Sequence, residues 1–151
     1  MKVGDRLPDV ELILESGESV RLARLGKPLV LFFYPKAFSP VCTAEACHFR
    51  DLSPDFSRFD AAIYGVAPDD AETLKRFAEK HKLPYPSAPD PDRKIAREFG
   101  AVGPLNTMKR LTVVADAEGT VVLLYSNILN PNAHSTKALE ALAGLAGAHA
   151  G

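Results

Sequence analysis

From Leu29 to Tyr34 every residue is apolar or aromatic. A short unbroken run of this kind predicts a central strand buried on both faces. Ala61 to Ala67 predicts a second buried strand. Ahead of them, Val10–Leu14 and Ser19–Leu22 flank Ser16-Gly17-Glu18 and read as a β-hairpin. Helical spacing marks Val41 to Leu52, interrupted by Ser53-Pro54, with Phe56 and Phe59 continuing beyond the break. Asp69 with Glu72 three residues on reads as a capping box opening the next helix. That helix puts Leu74, Phe77, Ala78 and His81 on one face. Asp90-Pro91 predicts the start of a short helix, with proline at its first position, and Gly100 predicts its stop. Leu111–Ala115 and Thr120–Tyr125 read as strands joined by the turn Asp116–Gly119. Asn130-Pro131 opens a last helix, whose apolar stripe is Ala138, Leu139, Leu142 and Leu145.

The order is therefore hairpin, strand, helix, strand, helix, short helix, strand hairpin, helix. Two strands joined by a crossover helix must be parallel, and the later hairpin adds antiparallel strands. An α/β fold follows: a mixed sheet flanked by helices, in a thioredoxin-like arrangement with an N-terminal β-hairpin extension. At 151 residues the chain fits one domain, 1–151. A formal net charge of −1 gives no electrostatic case for nucleic acid or an anionic membrane. No apolar run approaches a bilayer span, and the N-terminal residues carry no signal core. A cytoplasmic location is the expectation.

The chemistry centres on Cys42 and Cys47, the only two cysteines. In a reducing compartment such a pair favours catalysis or metal binding over a structural staple. Cys42 falls in the first turn of a helix that follows a buried strand. Unsatisfied N–H groups at a helix N-terminus favour a thiolate, the nucleophilic form of sulfur. At about 100° per residue, Ala46 and Phe49 share the apolar face with Cys42, whereas Cys47 lies about 140° away beside Thr43, Arg50 and Asp51. An intact helix holds the two Cα atoms roughly 8–9 Å apart, and a disulfide needs less than about 7 Å. The spacing disfavours a preformed bridge. It leaves open a transient one that requires α-helical unwinding.

Pro35-Lys-Ala-Phe-Ser39-Pro-Val-Cys42 resembles the peroxiredoxin signature: proline, three residues, Thr or Ser, two residues, cysteine. The longer stretch Phe33 to Asp51 resembles the bacterioferritin-comigratory-protein, or Q-type, subfamily, whose second cysteine lies five residues after the first. Gly4-Asp5-Arg-Leu-Pro8-Asp9, Gly65-Val-Ala-Pro-Asp69, Arg76-Phe-Ala-Glu-Lys80, Leu83-Pro-Tyr-Pro86 and Asp90-Pro-Asp-Arg-Lys94 extend the likeness. Two stretches depart from it: a short connection between Gly100 and Lys109, and Ser87-Ala88-Pro89 in place of a more hydrophobic segment. The resemblance implies an atypical 2-Cys peroxidase acting on hydrogen peroxide and organic hydroperoxides. Cys42 would attack the O–O bond and become a sulfenic acid. Ser39 would hydrogen-bond the sulfur and the peroxide, Pro35 would shield the pocket, and Arg110 would stabilise negative charge. Cys47 would close an intrachain disulfide, recycled by thioredoxin or a similar dithiol. No cofactor or metal is expected. The quaternary expectation is a monomer, with a dimer open.

Without the resemblance, several bland readings compete. Ser39 could be a helix cap, Arg110 a solvated charge no different from Lys109, and Glu45 either a partner of that arginine or a solvated first-turn carboxylate. The four histidines carry no assigned role. Zinc ligation by Cys42, Cys47 and His48 fails on diverging directions and a missing fourth ligand. A thiol–disulfide oxidoreductase lacks its Cys-x-x-Cys mark. A non-enzymatic redox sensor is the remaining alternative.

Overall fold

A computed structural model describes residues 1–126 and 130–150, with the backbone alone for Pro131 and for residues 146–150. Strand β1 (Glu11–Ile13) pairs antiparallel with β2 (Ser19–Arg21) across a turn in which Gly17 takes a φ of +93°. This hairpin is a separate two-stranded sheet. The main sheet is built from β3 (Leu29–Phe33), β4 (Ala62–Ala67), β5 (Ser87–Pro89), β6 (Leu111–Ala115) and β7 (Val121–Ser126) in the order β5-β4-β3-β6-β7. β3 runs parallel to β4 and antiparallel to β6. The helices are α1 (Pro40–Asp51), α2 (Ser53–Ser57), α3 (Ala71–His81), α4 (Lys94–Glu98) and α5 (Pro131–Ala150).

The period of two along β3 explains its uniform apolarity. Leu29, Leu31 and Phe33 face a core shared with Leu12, Leu14 and Leu22 of the hairpin region and with Ala96 and Phe99 around α4. Val30, Phe32 and Tyr34 face the opposite core, built with Cys42, Ala46 and Phe49 of α1, Phe56 of α2, Leu74 and Phe77 of α3, and Ala138 and Leu142 of α5. Both faces are covered, so neither can carry polar residues cheaply.

Three local expectations need correction. The cap of α3 is Asp70, whose carboxylate accepts from the Thr73 N–H at 2.8 Å. Asp69 instead accepts from the Ala37 N–H at 2.9 Å, tying the loop ahead of α1 to the loop after β4. Pro91 does not open α4. That helix begins at Lys94, after Arg93 turns through a φ of +58°, and the buried Asp90 carboxylate accepts from the N–H groups of Ile95 and Ala96 at 3.0 and 2.9 Å. Ser87–Pro89, expected only as an anomaly, is the edge strand β5. An edge tolerates Pro89, whose missing N–H costs no ladder bond there. Its outer side is met by Glu15, whose N–H donates to the Ser87 carbonyl at 2.9 Å and whose carboxylate accepts from the Ser87 N–H at 2.5 Å.

Gly65 in β4 allows this packing. A Cβ at this position would lie 2.8 Å from Ser87 Oγ and 2.9 Å from Tyr34 Cε1. Gly65→Ala is expected to cost about 1–3 kcal/mol through overpacking, read as a lower denaturant midpoint. Unchanged stability would show that the Tyr34–Ser87 contact yields freely.

Candidate active site around Cys42

Strand β3 ends at Phe33, and the chain then crosses Pro35 to Ser39 to reach α1. The antiparallel register sets Phe33 opposite Leu111. Arg110, just before β6, therefore arrives at the same end of the sheet as the start of α1. Side chains alternate along a strand, so Arg110, Thr112 and Val114 point to the face covered by α1 and α5, while Lys109 points away.

The result is a buried cluster. Arg110 Nη2–H donates to Cys42 Sγ at 3.1 Å, and Nη1–H donates to Glu45 Oε2 at 3.2 Å. Cys42 is 1% exposed and Glu45 has no exposure. One turn of α1 thus presents both groups to a single guanidinium fork. Burial lifts the Glu45 carboxyl from 4.5 to about 7, against the opposing pull of the Arg110 charge and hydrogen bond. Behind it, His134 of α5 places Nε2 3.8 Å from Glu45 Oε2, and its Nδ1 is hydrogen-bonded to Thr112 Oγ1 at 2.8 Å. Among the described residues, Glu45 Oε1 and Arg110 Nε hold no hydrogen bond.

The other expected residues sit nearby in different states. Pro35 is half-buried in the loop between β3 and α1. Ser39 occupies the N-cap position of α1 but makes no capping bond, because its hydroxyl donates to the Lys36 carbonyl at 2.8 Å. A hydroxyl has one hydrogen, so Ser39 must rotate away from Lys36 before it can donate to sulfur or peroxide. Cys47 is half-buried on the other side of α1, and both cysteines are free thiols. Three contacts pin α1 around it. Tyr85 Oη donates to the Ala46 carbonyl at 2.8 Å, Arg50 Nη1 donates to the His81 carbonyl at 2.8 Å, and His48 Nδ1 is hydrogen-bonded to Ser135 Oγ.

From sequence alone Glu45 has two open roles and His134 has none. Glu45 lies on the same side of α1 as Cys42 and Phe49 by helical spacing. His134 sits four residues before Ala138, at the head of the apolar stripe of α5. A cavity of about 500 Å³ between the hairpin and α4, lined in part by Asp9, Arg21, Asp90 and Lys94, shares none of these residues.

Residues 3–124 match the model of the AhpC/TSA family. The chain belongs to that family, and it is a peroxiredoxin. Peroxiredoxin Bcp of Bacillus subtilis is 37% identical over 151 residues, covering 94% of this chain and 95% of that protein. The chloroplastic peroxiredoxin Q of Gentiana triflora is 39% identical over 138 residues, covering 89% of this chain and 64% of that protein. Among solved structures, peroxidoxin BcpB of Mycobacterium tuberculosis superposes with a TM-score of 0.88 at 38% identity, over 96% of this chain and 98% of that one. The bacterioferritin comigratory protein of Xanthomonas campestris superposes with a TM-score of 0.86 at 29% identity, over 96% and 99%. The peroxiredoxin has the thioredoxin-like fold of these relatives, and its family is one of thiol-dependent peroxidases. No helix among its described residues is long and apolar enough to cross a membrane.

Proposed function

We propose that this peroxiredoxin reduces hydrogen peroxide and organic hydroperoxides at Cys42 and resolves the product with Cys47. The observation that carries the reading is the 3.1 Å bond from Arg110 to Cys42 Sγ. A guanidinium beside sulfur stabilises the thiolate and the negative oxygen that develops as the O–O bond breaks. The thiolate attacks one peroxide oxygen. The second oxygen leaves with the bonding pair and takes a proton, giving water or an alcohol, and Cys42 becomes a sulfenic acid. The Cys47 thiolate then displaces hydroxide from that sulfur, forming the Cys42–Cys47 disulfide and water once a proton is added. A dithiol of the thioredoxin class returns both cysteines to thiols by exchange and is itself oxidised to a disulfide. A cycle needing external dithiol fits a reducing compartment such as the cytoplasm. The Xanthomonas campestris relative has alkyl peroxide reduction activity, which supports including organic hydroperoxides here.

The test uses the wild-type chain and one equivalent of hydrogen peroxide. Peptide mass spectrometry should find both thiols consumed and a Cys42–Cys47 link. Added thioredoxin with its reductase should then oxidise reductant in proportion to peroxide supplied. Two intact thiols after exposure to peroxide would overturn the peroxidase reading, and a Cys42 oxide without the link would overturn the resolving role.

A further inference from the structure

We propose that His134, fixed by Thr112, shares a proton with Glu45 and so sets how firmly Arg110 is held on Cys42. The inference rests on Cys42 as the reacting thiol. His134 and Thr112 touch neither sulfur nor substrate and are positioning residues.

His134 has no exposure. Its ring is held by the 2.8 Å bond to Thr112 and by an edge contact with Tyr125 of β7, centroids 5.0 Å apart. That orientation turns Nε2 toward Glu45 Oε2, the same oxygen that accepts from Arg110. The groups facing Glu45 are Arg110 from the residue before β6, His134 from α5, Cys42 on its own helix, and the Tyr85 hydroxyl, which is bound to the Ala46 carbonyl. His48, one turn further along α1, is engaged by Ser135 instead. One proton therefore has two buried resting places. On Glu45 it leaves a neutral acid beside a neutral imidazole. On His134 it leaves a carboxylate beside an imidazolium, with total charge unchanged. The carboxylate holds the guanidinium by charge as well as by hydrogen bond, whereas the neutral acid offers only the weaker hydrogen bond. Closing the 3.8 Å gap to a hydrogen bond requires a shift of about 1 Å.

Glutamine at 134 cannot take the proton. Glu45 then loses its option of ionising against an imidazolium 3.8 Å away, and its titration moves upward. In His134→Gln the Glu45 carboxyl, followed by carbon-13 NMR, should titrate at higher pH than in wild type. Oxidation of Cys42 by peroxide should slow severalfold near neutrality and recover at alkaline pH. Thr112→Val should move both readouts in the same direction, and Thr112→Ser, which keeps the hydroxyl, should restore them. A Glu45 titration unmoved in both His134→Gln and Thr112→Val would overturn the proposal. So would a rate loss equal at all pH values, since that reports packing alone. Wild type is the reference throughout, so its failure to oxidise Cys42 would instead strike the peroxidase reading itself.

Discussion

Arg110→Met should slow oxidation of Cys42 by about 10²–10³-fold, the usual loss on removing one preorganised donor from a developing oxyanion. Methionine keeps most of the side-chain volume and removes both donors of the fork. Sulfur then loses the 3.1 Å N–H···S bond, and Glu45 loses the 3.2 Å bond that offsets its burial. Stranding a buried carboxylate costs about 3–5 kcal/mol. Here the loss is eased because Glu45 already takes up a proton near pH 7. The Arg110→Met/Glu45→Gln double variant removes the stranded charge and keeps the kinetic test valid if the single variant folds poorly. Arg110→Lys retains charge but is a point donor that cannot bridge Cys42 and Glu45 in one plane, so its rate should fall between the two. Cys42→Ser, with no sulfur to oxidise, sets the zero of the assay. Stopped-flow measurement of the second-order rate with peroxide decides. A wild-type rate in Arg110→Met, in a folded protein, would remove the guanidinium from the chemistry.

How far the sequence could reach is clearest at this arginine. Pattern alone locates β3 and α1, because an unbroken apolar run and helical spacing over Val41 to Leu52 are strong local signals. It did not separate Arg110 from Lys109, and only the family likeness did so. Strand parity carries the choice physically: Val114 and Thr112 face α1 and α5, so the residue two before Thr112 does too. Using that parity requires knowing that β6 lies beside β3, a long-range pairing invisible to local pattern. The same limit hid His134, whose partners Thr112 and Glu45 stand 22 and 89 positions away in the chain, so no short motif contains them. The cap of α3 is displaced by one residue for the opposite reason. Asp69 alone has Glu72 three residues on, but either aspartate can cap, and the Ala37 N–H takes Asp69 and leaves Asp70 at the helix. β5 is invisible to pattern because Ser-Ala-Pro has little strand propensity. Its place is set by Gly65 and Glu15 rather than by its own residues.

Cys47→Ser should leave the first oxidation of Cys42 at its wild-type rate and abolish disulfide-based turnover. The geometry of α1 explains why the two steps separate. Intact helical spacing holds the Cα atoms about 8–9 Å apart, beyond reach of a bridge, and Cys47 faces away from the buried side of Cys42. Closing the bond requires α1 to unwind, breaking the contacts from Tyr85 to Ala46, from Arg50 to His81 and between His48 and Ser135. At about 1 kcal/mol net for each bond, these three alone hold the open form to roughly 1% of molecules, an ordinary population for a minor conformer. In the proposed cycle, resolution by Cys47 is therefore a gated step that follows oxidation of Cys42. In Cys47→Ser the gate opens onto a hydroxyl, so sulfenic acid persists after one equivalent of peroxide, and further peroxide drives it to sulfinic acid. Intact-mass measurement across a peroxide titration reads both species. Thioredoxin-coupled turnover that survives unchanged in this variant would mean that the resolving thiol is supplied from outside Cys47, and that the tethers on α1 guard some other event.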